Sequence, residues 1–389
     1  MDEKIFDQND SRKTKYRKPT VILPKGITRI GYSAFDYYQT LKNIVIPNSV
    51  TSIGSYAFRY CTNLKNIVLP NSIETIEESA FTECTALESV IIPNSVSSLG
   101  ARAFSNCYNL TLAVISANIA SIEESTFYNC CNLRKVEIPN SVTSIGVYAF
   151  KNCCSLEHLL IPDSTTTIEH NAFERCSKLK SVVILGSIPI IPKEIFSNCT
   201  SLESISLPKD VKSIGEQAFT GCSSLKDILI PDGVTQIEKG AFQGCTSLEK
   251  ITIPNSIESI SSHAFARCSN LKKIEISGGV TCIEEATFAG CSALEKVKIP
   301  DTVTSIGNFA FLGCSSLKEI SIPNSVKSIG ANAFAGCSAL EKITIPDSVE
   351  YIGNDVFRDC KNLNVHISKN LSKNKLSEVL GGKDISIKG

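Results

Sequence analysis

The sequence contains very few of the residues that usually build a catalytic or metal site. Its 389 residues include four histidines, one methionine and no tryptophan, and no two histidines have the spacing of metal ligands. A glycine-rich phosphate loop, a G-x-S-x-G turn and an H-E-x-x-H helix are also missing from the sequence. Carboxylates are spread evenly, without a distinct pair. We therefore expect no enzymatic activity, no cofactor and no metal site.

The chain has no charge excess and no long apolar run. Lys plus Arg number 39, as do Asp plus Glu, so no basic field is available to hold a phosphate backbone and nucleic acid is not expected as a partner. A run of about 18 apolar residues, the minimum for a membrane span, does not occur. The first nineteen residues mix both charge signs without an apolar core, so no signal peptide or anchor is predicted.

Phenylalanine, by contrast, reveals a strict repeat. Of 17 phenylalanines, fifteen are spaced by 23 residues from Phe35 to Phe357 without interruption. A fixed period of this kind is typical of repeat architectures, in which each repeat buries its apolar face only against its neighbours. The period predicts one solenoid of fifteen 23-residue repeats over residues 20–362. A charged, flexible N-terminal segment, 1–19, and a C-terminal cap, 363–389, are expected to flank it.

Each repeat begins with two short strands separated by a turn. In the repeat 64–86, apolar residues alternate around Val68, which predicts a strand with Val68 pointing outward and its neighbours pointing inward. Pro70 then breaks the strand, because proline presets the backbone for a turn. The following residues, 73–76, predict a second short strand. This proline recurs in twelve of the fifteen repeats.

Cysteine forms a second column, three residues after the phenylalanine. Fourteen of the 17 cysteines lie there, from Cys61 to Cys360. The spacing predicts one helical turn per repeat, because residues three apart share a helix face. Side chains stacked in register point the same way, whereas a disulfide needs Cβ atoms about 3.8 Å apart that face each other. We therefore expect buried, unbridged thiols in the column and partly exposed thiols at Cys131, Cys154 and Cys282.

One repeat, residues 179–201, departs from the pattern. Leu185 replaces the turn proline, and prolines occur instead at Pro189 and Pro192. Because proline has no N–H to donate to a ladder, the pairing of the second strand is expected to lapse there. Two interpretations stay open for this repeat, a local bulge and a bend or docking point.

Charges alternate in sign at the position after the first leucine of successive repeats. Stacked neighbours of opposite sign attract each other, whereas like charges there would repel along the column. We interpret the alternation as a stabilising feature of the stack. The column reads Glu157, Lys180, Glu203, Lys226, Glu249, Lys272, Glu295, Lys318 and Glu341.

The repeat pattern resembles that of a known family. The repeat 317–339 reads LKEISIPNSVKSIGANAFAGCSA, and the shared pattern LxxIxIPxSVxxIGxxAFxxCxx is similar to the BspA-like class of leucine-rich repeats. This resemblance implies a repeat solenoid of the leucine-rich-repeat type, β-rich with short helical turns. The family contains surface and adhesion proteins of mucosal bacteria and protozoan parasites, which bind host matrix proteins and other cells.

The resemblance also implies a function. We expect a non-enzymatic protein-binding scaffold, adhesin-like and placed at the cell surface or outside the cell, with a host matrix or cell-surface protein as partner. The binding residues of the family do not form fixed motifs, so no site carries over by position. An intracellular adaptor in the cytoplasm stays open as the alternative, because no export signal is visible. Self-association through the same surface also stays open.

The candidate partner-binding face follows from a bias along the chain. Outward strand positions are aliphatic in the N-terminal half and mostly polar in the C-terminal half, and nine of the ten tyrosines precede residue 150. Tyrosine is enriched in interfaces. The aliphatics are explained either by the fit of β-branched residues to a pleated surface or by a partner that covers them. The candidate residues are Val45, Val68, Ile91, Val114, Leu160, Val183, Tyr56 and Tyr60.

Overall fold

The structure of the chain is a computed structural model. The residues it describes are 4–13, 18–116, 118–367 and 385–387. The chain divides into two compact units, unit 1 (Met1–Ile188) and unit 2 (Pro189–Gly389). Both are built from the same 23-residue rung, about fifteen along the chain, so the predicted leucine-rich-repeat solenoid class is confirmed.

The regular elements of unit 1 are fifteen short strands and one helix, α1 (Gln8–Lys13), among the described residues. No strand exceeds four residues there, because the turns of each rung follow closely. The strands are β1 (Ile5–Phe6), β2 (Thr20–Ile22), β3 (Arg29–Ile30), β4 (Asn43–Val45), β5 (Ser52–Ile53), β6 (Thr75–Ile76), β7 (Ser89–Ile92), β8 (Ser98–Leu99), β9 (Leu112–Ile115), β10 (Ser121–Ile122), β11 (Lys135–Glu137), β12 (Ser144–Ile145), β13 (His158–Ile161), β14 (Thr167–Ile168) and β15 (Ser181–Ile184).

Unit 2 repeats this arrangement with strands of the same length. Its regular elements in the described ranges are all β-strands. They are β16 (Ile190–Ile191), β17 (Ser204–Ser206), β18 (Ser213–Ile214), β19 (Gln236–Ile237), β20 (Ser259–Ile260), β21 (Lys273–Glu275), β22 (Cys282–Ile283), β23 (Lys296–Lys298), β24 (Ser305–Ile306), β25 (Glu319–Ile320), β26 (Ser328–Ile329), β27 (Lys342–Ile345), β28 (Tyr351–Ile352), β29 (Asn364–Ile367) and β30 (Ile385–Ile387).

Successive rungs pair in parallel, and the two strands of a rung join different sheets. In unit 1 the first strands form the sheets β2-β4 and β7-β9-β11, and the second strands form β1-β3-β5-β6-β8 and β10-β12-β14. In unit 2 the first strands form β21-β23-β25-β27-β29-β30, and the second strands form β16-β18-β19-β20 and β22-β24-β26-β28. The register places Ser52 beside Thr75, so residues one repeat apart stack.

The core of each unit is a column of stacked phenylalanine rings. Phe81 lies between Phe58 and Phe104, with ring centroids 5.1 and 5.2 Å apart and nearly parallel planes. In unit 2 the ring of Phe242 lies 5.4 Å from that of Phe219. All fifteen column phenylalanines are buried. Burial of one such side chain contributes about 1.5–3 kcal/mol, so the column is a major source of stability.

The proline turn has the predicted position in the rung. The carbonyl of Pro70 accepts a hydrogen bond from the N–H of Ile73 (3.1 Å), and Pro254 and Ile257 repeat the contact at 3.1 Å. Proline suits this place because its carbonyl accepts while its missing N–H is not needed. The second strand therefore starts at a fixed distance after the first.

The helical turn predicted around each phenylalanine is wrong. The backbone of Ser79 and of Glu83 is left-handed, with φ of 56° and 62°, and a right-handed helix does not pass through such residues. Between them the N–H of Phe81 donates to the carbonyl of Ala103 in the next rung, at 2.8 Å. The segment is therefore a run of tight turns that hydrogen-bonds to its neighbour, and the three-residue spacing of Phe81 and Cys84 arises without a helix.

The thiols of the column cysteines form buried hydrogen bonds with the backbone. The thiol of Cys84 donates to the backbone carbonyl of Phe58 in the preceding rung, at 3.2 Å, and that of Cys245 donates to Phe219 in the same way, at 3.3 Å. The carbonyl of Phe58 also accepts the backbone N–H of Cys61 at 3.1 Å, so the thiol is a second donor to the same oxygen and fills apolar volume as well. All 17 cysteines are thiols rather than disulfides, and the fourteen of the column are buried, as predicted.

The irregular repeat coincides with the ends of two sheets. In unit 1 the second-strand sheet ends with β14, and in unit 2 the corresponding sheet begins with β16. Pro189 and Pro192 flank β16 and have no N–H to donate to a strand on their side. On the other side β16 pairs with β18, and the N–H of Lys212 donates to the carbonyl of Pro189 at 2.7 Å.

The N-terminal end of unit 1 includes part of the segment 1–19 that was expected to be flexible. Strand β1 pairs with β3, and the buried ring of Phe6 stacks on Phe35 with centroids 5.2 Å apart. Phe6 therefore extends the phenylalanine column, although its spacing to Phe35 differs from the repeat period. The flexibility of residues 1–19 and their boundary at residue 19 stay predictions.

The C-terminal end of unit 2 begins the segment 363–389 that was expected to be a cap. Strand β29 pairs with β27 in a register that places Lys342 beside Asn364, one residue shorter than the repeat. Strand β30 then pairs with β29. The rest of the predicted cap, 368–384 and 388–389, lies outside the described residues, so the cap stays a prediction.

Candidate functional site

The outward side of the first strands in unit 1 carries an apolar strip, which we define as Ile22, Val45, Val68, Ile91 and Val114. Exposed and buried residues alternate along β4 and β7, so each member projects away from the core. Ile22, Val45, Val68 and Ile91 are exposed by 74, 53, 79 and 60% of their surface, and Val114 is half-buried. Aliphatic groups thus face water on successive rungs.

Strand register places the members of the apolar strip one above the other. Ile22 pairs with Val45 across β2 and β4, and Ile91 pairs with Val114 across β7 and β9. Val68 occupies the equivalent outward position on the rung between them. The rung of Val68, all of which the structure describes, has no first strand of its own, but its phenylalanine ring, Phe81, lies 5.1 and 5.2 Å from those of the neighbouring rungs, so the strip is continuous over these rungs.

Leu160 and Val183 form a second exposed pair. They lie beside each other across β13 and β15 and are exposed by 57 and 38%. The outward position on the rung before them is Glu137, whose carboxylate pairs with Lys135 at 2.5 Å. A charged rung therefore separates Leu160 and Val183 from the apolar strip.

A tyrosine cluster, defined as Tyr32, Tyr37, Tyr56 and Tyr60, lies on the first two rungs, and three of its rings, all but that of Tyr32, face Arg59. The rings of Tyr37 and Tyr60 stack with centroids 4.5 Å apart, and those of Tyr32 and Tyr56 meet edge to face at 5.6 Å. The guanidinium of Arg59 lies 4.7 Å from the ring centre of Tyr56 and 5.5 Å from that of Tyr37. Such contacts between a cation and aromatic faces are attractive.

Asp36 fixes the position of Arg59 within this cluster. Two nitrogen atoms of Arg59 donate to the carboxylate of Asp36, at 2.9 and 2.7 Å. These hydrogen bonds raise the pKa of Arg59 above its ordinary value. The charge of Tyr37, followed by that of Glu83, raises the pKa of Tyr60. The cluster is therefore a rigid aromatic surface with one fixed cation.

The structure separates the eight candidate residues into three groups. Val45, Val68, Ile91 and Val114 lie in the apolar strip, and Leu160 and Val183 form their own pair. Tyr56 and Tyr60 lie in the turn segment around Phe58, which has its own hydrogen bonds to the next rung and is not part of the first-strand sheet. The two tyrosines flank Phe58 at its left-handed positions. Sequence alone could not assign these positions to a side of the rung.

The same outward positions in unit 2 are mostly charged or polar. Lys298 pairs with Glu275 at 3.8 Å, and on a neighbouring column Lys296 pairs with Glu319 at 3.2 Å. Leu229 is an exception, because it is 81% exposed among polar neighbours on its column. Ion pairs between exposed side chains keep this surface hydrated, so the aliphatic bias belongs to unit 1.

The alternating charge column forms ion pairs between adjacent rungs. The ammonium nitrogen of Lys180 lies 2.8 Å from the carboxylate of Glu157, that of Lys272 lies 3.3 Å from Glu249 and that of Lys318 lies 3.9 Å from Glu295. The hydrogen bond from Lys180 lowers the pKa of Glu157. These pairs support the interpretation of the column as a stabilising feature.

Family comparison places the repeat pattern in a known group. The profile of the BspA type leucine rich repeat region, in six copies, matches residues 14–130, 120–249, 189–301 and 235–364. The chain belongs to the BspA-type leucine-rich repeat family. A comparison with curated proteins found no match.

Solved structures are similar to this BspA-type chain over most of its length. A leucine-rich repeat protein from Bacteroides ovatus is 33% identical, with 95% of this chain and 92% of that chain covered and a TM-score of 0.75. A leucine rich cell surface protein from Faecalibacterium prausnitzii is 27% identical, covering 93 and 90%, with a TM-score of 0.45. A leucine-rich repeat protein from Eubacterium ventriosum is 21% identical, covering 91 and 90%, with a TM-score of 0.50.

Across the ranges that the structure describes, no group of three or more His, Cys, Asp and Glu side chains could hold a metal ion. In those ranges no helix is both long and apolar enough to cross a membrane. His158 lies on β13, where its Nδ1 is 2.8 Å from the hydroxyl of Ser181.

Two parts of the candidate site were missed by sequence reasoning. Ile22 continues the outward column of Val45 by one repeat towards the N-terminus, and extending the 23-residue count back from Val45 would have found it. Arg59 was missed because its contacts join tyrosines of two rungs. Its neighbours in sequence, Tyr56 and Tyr60, give no signal that their rings face one guanidinium.

Proposed function

We propose that this BspA-type protein is a non-enzymatic scaffold that binds a protein partner through the apolar strip. It acts as an adhesin-like protein at the cell surface, and its partner is a host matrix or cell-surface protein. Membership of the repeat family supports the scaffold, and the family resemblance supports the adhesin-like role. The strip consists of aliphatic side chains, which bind by burial of apolar area rather than by proton transfer or nucleophilic attack.

The run of exposed aliphatic side chains on successive rungs is the observation that carries this proposal. Val45, Val68 and Ile91 each expose more than half of their surface. β-Branched residues suit any strand, yet the same outward column in unit 2 holds Glu275 and Lys298 instead. The preference of strands for β-branched residues therefore does not account for the aliphatics in unit 1. A partner that covers this surface does account for them.

The tyrosine cluster lies in unit 1, as the apolar strip does, and this supports unit 1 as the contact surface. Tyrosine offers a large, rigid contact area at a small cost in side-chain entropy. Asp36 holds Arg59 in place, so the cluster loses little freedom when a partner binds. Its location on a different segment of the rung makes it a second contact area beside the apolar strip.

An intracellular adaptor is the second candidate function, and one observation favours it. All 17 cysteines are thiols, and unbridged cysteines are typical of reducing compartments. Protease treatment of intact cells of the source organism, followed by immunoblotting, separates the two functions. Digestion in intact cells supports the surface protein, and protection until the cells are lysed supports the adaptor.

Substitution of the most exposed strip residues tests the binding surface. The variant Val45→Thr, Val68→Thr, Ile91→Thr keeps β-branched side chains while removing apolar area. Loss of three buried aliphatic contacts should weaken binding to a panel of immobilised extracellular-matrix proteins by about tenfold or more. Biolayer interferometry measures the affinity, and sedimentation velocity measures self-association.

Leu229→Thr is the matched control, because Leu229 is equally exposed on the same column in unit 2. Both variants should retain the circular dichroism spectrum and Tm of the parent. Equal binding by the parent and the triple variant, with loss in Leu229→Thr, would place the surface in unit 2. An absence of binding to every matrix protein by the parent would contradict the adhesin-like role.

A further inference from the structure

A ladder of serine and threonine hydroxyl groups lies one residue after the column cysteines, in ten of the fourteen positions. In this ladder the hydroxyl donates to the backbone carbonyl of the same position one rung earlier, as Ser223 does to Thr200 at 3.1 Å. The other donors are Thr85, Ser177, Thr246, Ser269, Ser292, Ser315 and Ser338. Two adjacent rungs carry a thiol at this position instead, at Cys131 and Cys154. The two cysteines that replace hydroxyl residues in the ladder are therefore neighbours in the stack.

Cys131 and Cys154 occupy the same position of adjacent rungs. The two residues are one repeat apart and both are half-buried. Two residues before them the side-chain amide of Asn152 donates to that of Asn129 at 2.7 Å, so the rungs stack in register here. The thiol of Cys154 also donates to the carbonyl of Asn152 at 3.3 Å. The neighbouring column thiol of Cys130 is instead buried and donates to the carbonyl of Phe104 at 3.2 Å. Solvent therefore reaches the off-column pair but not the column.

We propose that Cys131 and Cys154 form a redox-active dithiol that low-molecular-weight disulfides, such as oxidised glutathione, convert to an intramolecular disulfide. One cysteine loses its proton to solvent and its thiolate attacks the disulfide of glutathione. A mixed disulfide forms and one glutathione thiolate leaves. The second cysteine then loses its proton and attacks the cysteine sulfur of the mixed disulfide, which releases the second glutathione. Two electrons and two protons pass to the oxidant in all.

The position of the pair in the rung permits this bridge. Residues one rung apart have Cα atoms about 4.8 Å apart, inside the 4.4–6.8 Å range of disulfides. Rotation of the two half-buried side chains about their Cα–Cβ bonds turns the sulfur atoms, which otherwise point the same way, towards each other. A column cysteine is held by its bond to a buried carbonyl and by the packed rings. Of two adjacent residues, Cys130 therefore has a structural role in the core, and Cys131 has a reactive role at the surface.

The reaction should accelerate at alkaline pH. Burial, followed by the charge of Cys154, raises the pKa of Cys131 to about 11. The thiolate is the attacking species, so the rate should increase as the pH rises towards that value. A reaction at pH 8.5 should consequently be faster than the same reaction at pH 7.

Incubation of the native protein with oxidised glutathione at pH 8.5 tests the proposal. Intact mass and peptide mapping should show a cross-link between Cys131 and Cys154, with the loss of two thiols and of two hydrogens. Cys282 is the internal comparison, because it is half-buried and hydrogen-bonded to Ser305 (2.9 Å). Without a neighbouring thiol at the surface it should stop at a mixed disulfide.

The variants Cys131→Ser and Cys154→Ser complete the test. Serine is the usual residue of this ladder, so both variants should fold. In each, the remaining cysteine should retain one glutathionyl group that the parent releases. Glutathionyl groups on both Cys131 and Cys154 of the parent would overturn the proposal. A parent in which only Cys282 reacts would also overturn it.

Discussion

The thiol of a column cysteine carries a pH dependence into the fold. Burial raises the pKa of Cys291 to about 12 and raises those of Cys84 and Cys245 well above the ordinary value. In the unfolded chain a cysteine has a pKa of about 8.5. A raised pKa in the folded state means that the stabilisation is complete below about pH 8.5 and is lost as the pH rises above it.

Alkaline pH should therefore unfold this protein. Each column thiol that ionises only after unfolding lowers the free energy of unfolding by about 1.4 kcal/mol per pH unit above its unfolded pKa. We expect Tm to be constant up to about pH 8.5 and then to fall steeply, measured by circular dichroism. The variant Cys222→Ala, Cys245→Ala should show a smaller fall. The role of the thiols would be contradicted if Tm fell with pH equally steeply in the parent and the variant. It would also be contradicted if the Tm of the parent stayed constant through pH 10.

The residue columns were largely predictable, and the partner of each thiol was not. The constant spacing of phenylalanine and cysteine, as at Phe81 and Cys84, recurs in fourteen of the fifteen repeats and requires in-register stacking, so the burial of both columns and the lack of bridges followed directly. The acceptor of the Cys84 thiol is the carbonyl of Phe58, 26 residues earlier. That contact depends on how the backbone of one rung lies over the next, which a residue pattern does not encode.

Strands and turns differ in what the sequence reveals about them. Alternation around Val68 correctly predicted which side chains point outward, but this rung has an isolated bridge at Asn66 in place of the predicted strand. The segment around Phe81 was misread as helical because a spacing of three residues fits both a helix turn and a run of tight turns. Asparagine and glycine two residues after the phenylalanine, as at Asn129 and Gly244, adopt positive φ at low cost and were the available signal.

The charge column predicts a salt-dependent stability at the level of the strand stack. Glu249→Lys places a lysine between Lys226 and Lys272 and removes the ion pair to Lys272. At low ionic strength we expect Tm, measured by differential scanning calorimetry, to fall by about 1–2 °C, since exposed pairs contribute only tenths of a kcal/mol.

Salt should remove most of this effect, because the Debye length is about 3 Å at 1 M ionic strength. Glu249→Gln is the control that deletes the attraction without adding repulsion, and it should lower Tm by less than Glu249→Lys. An equal loss of stability at low and high salt would show that packing, rather than charge, accounts for the effect of the substitution.

At the scale of the whole molecule, identical rungs carry different surfaces. The inward columns hardly change along the chain, because every rung must fit its neighbours. Outward positions are not constrained in this way, and they change from Val68 and Ile91 in unit 1 to Glu275 and Lys298 in unit 2. The sequence predicted this bias, but it could not show that Tyr56 and Tyr60 lie outside the strip.

Hydroxyl-radical footprinting of the bound protein tests the central claim, that the apolar strip is the partner surface. The protein is oxidised alone and in complex with a matrix protein that it binds, and mass spectrometry measures the modification of each side chain. Protection of Val68 and Ile91 in the complex, with unchanged oxidation of Leu229, is the result that we predict. Protection of Leu229 while Val68 and Ile91 remain fully oxidised would contradict the claim.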